Sequence, residues 1–116
     1  LIATGMMVQE ALKAADILAK EDISVTVVDM PCIKPIDEEL IEEIAKSHEI
    51  IITCEEHNVY GGLGSAVSEV TSKKSPVRVE MIGMQDTFGE SGTPNELLAK
   101  YGLNADHIVE KVKECL

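Results

Sequence analysis

Ile50-Ile51-Ile52-Thr53-Cys54 is apolar or β-branched at every position, so a strand built from it has no face to give to water. Such a strand is stable only inside a sheet covered by other elements on both sides, which calls for helices above and below it. The next residues, Glu55-Glu56-His57-Asn58, read as a polar turn, and Gly61-Gly62-Leu63-Gly64 then opens an amphipathic helix. Ligands and partner surfaces usually meet an open α/β sheet at the carboxyl ends of its strands, so this strand-loop-helix is the first place to look for function.

The rest of the chain alternates the two periodicities. Met7, Val8, Ala11, Leu12, Ala15, Leu18 and Ala19 fall on one helical stripe, with Gln9, Glu10, Lys13, Asp16 and Lys20 facing outward. Ile23 to Val28 is a β-branched run that reads as a strand covered on both faces. Pro31 and Pro35 break the chain, and Asp37 is placed to cap a helix whose apolar side is Leu40, Ile41, Ile44 and Ala45 and which ends near Ser47-His48. Leu63, Ala66, Val67 and Val70 mark the inner face of a third helix, closed by Lys73-Lys74-Ser75-Pro76. In the strand Val77 to Ile82, Arg78 and Glu80 alternate with Val77, Val79 and Met81, as at a sheet edge with one wet face. Thr93-Pro94-Asn95-Glu96 combines an N-cap Thr, Pro at the first helical position and Glu three residues after the cap, the signature of a further helix start. Gly102 ends that helix, and Asn104 caps a last one with Ile108, Val109, Val112 and Leu116 on its apolar side. Four strands separated by segments of helical length imply a three-layer α/β/α arrangement around a mainly parallel sheet.

Residues 1–116 suffice for one domain with one core. Leu1-Ile2-Ala3 begins in strand-like sequence without Met or a polar lead-in, so the chain is expected to be a fragment of a longer polypeptide. Its 21 acidic residues against 10 basic, with Arg78 the only arginine, repel phosphate backbones and anionic lipid, and neither nucleic acid nor membrane is expected as a partner. Tyr60, Phe88 and Tyr101 are the only aromatics, too few for a stacking platform. Cys32, Cys54 and Cys115 are odd in number and scattered, which fits a reducing cytoplasm better than a disulfide framework.

Three pieces of the chain carry candidate chemistry. The Gly61 to Gly64 turn could present backbone N–H groups and a positive helix end to a phosphate, as a free-standing anion or nucleotide-binding module would. It lacks the P-loop Lys-Ser/Thr, it follows the third strand, and Glu55 and Glu56 lie upstream, so close packing of helix on sheet is the stronger explanation of its glycines. His57 beside Glu55 and Glu56 has the ingredients of a general acid/base pair, yet no nucleophile with a matching partner is evident: Ser65 and Ser68 fall in a helix and Cys54 ends a buried strand. Cys54-x-x-His57 hints at a metal, but zinc needs about four ligands and the other His and Cys residues are distant in sequence. Phe88, alone in the polar segment Gln85 to Thr93, reads equally as part of a turn or as an anchor against another domain. His48 and His107 read as ordinary helix-end residues.

Taken together, Leu1-Ile2-Ala3-Thr4-Gly5, Ile33-Lys34-Pro35-Ile36-Asp37, Glu55-Glu56-His57-Asn58 with Gly61-Gly62-Leu63-Gly64-Ser65-Ala66-Val67, and Asp86 to Pro94 resemble, in order and spacing, the C-terminal domain of transketolase. Phe88-Gly89-Glu90-Ser91-Gly92 and Leu97-Leu98-x-x-Tyr101-Gly102-Leu103 favour that family over its relatives, 1-deoxyxylulose-5-phosphate synthase and the β subunit of 2-oxoacid dehydrogenases. The resemblance implies a parent enzyme of the pentose phosphate pathway that moves two-carbon ketol units between sugar phosphates with thiamine diphosphate and a divalent metal, Mg or Ca. It implies that the cofactor lies between a pyrimidine-binding and a diphosphate-binding domain, neither of which is in this chain, so no catalytic, cofactor-binding or metal-binding role falls on a numbered residue. This domain is expected instead to pack on the pyrimidine-binding domain and to contribute to a homodimer or split-subunit assembly. Glu55, Glu56, His57, Asn58, Gly61, Gly62, Gly64 and Phe88 are the expected contacts. The resemblance also implies strands in the order 2-1-3-4 and a first, antiparallel strand that this chain is expected to lack, which leaves Ile23 to Val28 as an edge open to pairing between chains.

Overall fold

The computed structural model describes residues 1–31, 35–58, 62–84 and 104–116. In chain order its elements are β1 (Ile2–Ala3), α1 (Met7–Ala19), β2 (Val28–Asp29), α2 (Glu38–Ser47), β3 (Ile50–Asn58), α3 (Leu63–Lys74), β4 (Arg78–Met84) and a last helix, here α4 (Ala105–Glu114). The strands form one sheet in the order β2-β1-β3-β4, every neighbouring pair parallel. The Ile50 to Cys54 part of β3 thus lies inside the sheet, between β1 and β4, where the need for cover on both faces is met.

The period of two along β3 sorts its side chains between two cores. Ile52 and Cys54 join Ala3 and Ile82 under α1 and α4, while Ile51 joins Ile2 under α2 and α3. Met7, Ala11, Ala14 and Leu18 give α1 a fully buried line, and burying a side chain such as Met7 or Leu18 contributes about 1.5–3 kcal/mol. The two expected caps are formed: Asp37 Oδ1 accepts from Leu40 N at 3.1 Å and Asn104 Oδ1 from His107 N at 3.2 Å. Such caps are worth about 1 kcal/mol each. His48 closes α2, with its Nδ1 3.0 Å from the Ile44 carbonyl oxygen and its Nε2 3.2 Å from Thr26 Oγ1.

Several boundaries differ from the sequence reading. The Ile23 to Val28 strand shrinks to Val28–Asp29, and the segment is not covered on both faces: Ser24 and Thr26 are exposed, while Ile23, Val25 and Val27 are half-buried against the α1/α4 core. The physical reason is its place at the sheet edge beside β1, itself only two residues long. On α1 the buried line runs through Ala14, and Leu12, counted in the stripe, stays 50% exposed. Leu116 lies beyond the end of α4 and is exposed too. Arg78 and Glu80 lie on β4, an edge strand as read. The expected helix start at Thr93 to Glu96, its end at Gly102, and Phe88 lie outside the described residues.

Candidate functional site

The stretch read as a polar turn is strand. β3 continues through Asn58, and Glu55 is not a loop residue but the last member of the inward column Ile51, Thr53, Glu55 on the face covered by α3. The ladder to β4 slips here: Cys54 is opposite Ile82, yet Asn58 is opposite Met84, so β3 spends two extra residues over that interval. Irregularities of this kind bend a strand and re-aim its side chains.

Glu55 is only 1% exposed, and both oxygens of its carboxylate accept a hydrogen bond. Oε1 accepts from Leu63 N and Oε2 from Gly64 N, each at 3.0 Å. The N-cap of α3 is Gly62, which has no side chain to accept these bonds, so the cap comes from the preceding strand. A carboxylate at the positive end of a helix, held by two charge-assisted bonds, is favourable on both counts. Gly64 lets α3 come this close: a Cβ there would sit 2.6 Å from Met81 Cγ and 2.9 Å from Thr53 Oγ1. Thr53 is fully buried, and its hydroxyl has no hydrogen-bond partner among the described residues.

This geometry counts against the alternative of an anion-binding turn at Gly61 to Gly64 and agrees with the preferred explanation, close packing of helix on sheet. The two N–H groups that a phosphate or diphosphate would need already serve an internal carboxylate, whose charge would repel a second anion. By the same test, these residues do not fit the diphosphate of a thiamine cofactor.

Of the other candidates, Glu56, His57 and Asn58 continue the β3 backbone, Gly62 and Gly64 open α3, and Gly61 lies outside the described residues. Cys54 is buried as read, and loss of hydration pushes its thiol up to about 12, which makes it inert. Among the described residues no three His, Cys, Asp or Glu side chains are grouped to hold a metal ion, and no helix is long and apolar enough to cross a membrane. A groove of about 560 Å³, lined in part by Leu1, Val25, His48, Arg78 and Cys115, lies at the opposite end of the sheet, where β1, β3 and β4 begin. Sequence reasoning missed the cap made by Glu55 and the contact of Thr53 and Met81 with Gly64. The available signal was the alternation Ile51-x-Thr53-x-Glu55, which carries the inward face of β3 one step past its apolar run.

Comparison with known proteins agrees with this architecture. A protein of Methanocaldococcus jannaschii provisionally named a transketolase C-terminal section is 44% identical over 98% of this chain and 35% of its own length. The 1-deoxy-D-xylulose-5-phosphate synthase of Desulforudis audaxviator is 47% identical over 94% of this chain, but over 18% of its own length. A solved split-gene transketolase, described as an inactive β4 tetramer, superposes with a TM-score of 0.92 at 50% identity, covering 97% of this chain and 37% of the other. The chain therefore spans about a third, or less, of the relatives it matches. The family model described as "Transketolase, C-terminal domain" matches residues 1–108, and with a four-stranded parallel sheet in the order 2-1-3-4 this chain belongs to the transketolase C-terminal domain family.

Proposed function

We propose that this chain is the C-terminal assembly domain of a cytoplasmic transketolase, a domain that supports the cofactor-binding parts of the enzyme without itself carrying the reaction. The observation that carries this reading is the carboxylate of Glu55 at the N terminus of α3. The strand-loop-helix that in other α/β folds grips a phosphate here holds itself, so what it offers outward is a shaped surface. Glu55 to Asn58, Gly61, Gly62, Gly64 and Phe88 form or shape that surface, which packs on the pyrimidine-binding domain. Thiamine diphosphate and its divalent metal are bound between the enzyme's other domains, and ketol transfer between sugar phosphates takes place there.

The split-gene relative supports an assembly of separate chains, and β2, an edge strand among the described residues, offers a further place for chains to pair. Close identity to a 1-deoxy-D-xylulose-5-phosphate synthase supports a second reading, the same assembly role in a synthase of that kind. The test is to mix the chain with the pyrimidine-binding and diphosphate-binding parts of a transketolase and follow complex formation by sedimentation, with calorimetric titration of the chain alone against nucleotides and sugar phosphates. Complex formation without ligand binding is expected. Saturable binding of a nucleotide or sugar phosphate to the chain alone would refute the assembly reading.

A further inference from the structure

We draw no further inference here: the strongest candidate, the groove at the end of the sheet where β1, β3 and β4 begin, lined in part by Leu1, Val25, His48 and Cys115, has its one guanidinium, Arg78, already paired with Glu80, and nothing in the structure shows what covers it.

Discussion

Replacing Gly64 with Ala tests the packing of α3 on the sheet in its most demanding place. The new methyl would lie 2.6 Å from Met81 Cγ, 2.7 Å from Met81 Sδ and 2.9 Å from Thr53 Oγ1, all inside van der Waals contact. The helix cannot simply retreat, because Leu63 N and Gly64 N are held by Glu55. Thr53 is fully buried and β-branched, with little freedom at χ1, so the strain passes mainly to the flexible Met81 side chain. Overpacking of this kind costs about 1–3 kcal/mol, and the helix propensity of Ala over Gly returns at most about 1 kcal/mol. A net loss of about 1–2 kcal/mol is expected, a fall in Tm of several degrees for a domain of this size. In a double-mutant cycle, Met81→Ala removes the main obstacle, so the two substitutions together should cost at least about 1 kcal/mol less than the sum of their separate effects. Urea unfolding followed by circular dichroism on the four proteins measures this coupling. A Gly64→Ala protein as stable as the wild type, or a cycle additive within about 0.5 kcal/mol, would refute the close approach.

Other consequences can be checked on the same chain. Thr53→Val removes a buried hydroxyl that has no partner among the described residues and keeps the side-chain shape, so it should leave stability unchanged or raise it by up to about 1 kcal/mol in urea unfolding. Asp22 holds φ 62° just after α1, where Ile23 N donates to Leu18 O at 2.9 Å, and Asp22→Gly should stabilise the chain by about 1 kcal/mol. Burial raises the Cys54 thiol from 9.0 to about 12, so folding favours its protonated form; this contribution is complete below pH 9 and is lost as pH rises from there towards 12. The stability advantage of wild type over Cys54→Ala should accordingly shrink by on the order of 1 kcal/mol between pH 8 and pH 10, and an unchanged difference would contradict the burial argument.

Much of the fold was legible in residue order because its signals are local. The apolar run at Ile50, the caps at Asp37 and Asn104 and the buried stripes of α2 and α3 each depend on neighbours within a turn or a strand pair. Those periodicities settle the alternation of strand and helix, and with it a parallel three-layer domain. The readings that changed concern residues whose state depends on distant ones. Ile23, Val25, Val27 and Leu12 are as apolar as residues in the core, yet a place at the sheet edge or on the side of a helix away from its buried line leaves part of them in water. Glu55 is the sharpest case. A carboxylate has every local reason to face solvent, and the charges around it in sequence point to a turn. Only the parallel crossover from β3 into α3 brings two unpaired N–H groups to the end of the strand, where they make an internal carboxylate cheaper to bury than to hydrate. Sequence determined which segments would be strand or helix and which sides they would bury, because period and propensity are properties of short stretches. Tertiary structure decided that the helix start was already occupied, because that depends on the distance between two elements and not on the composition of either.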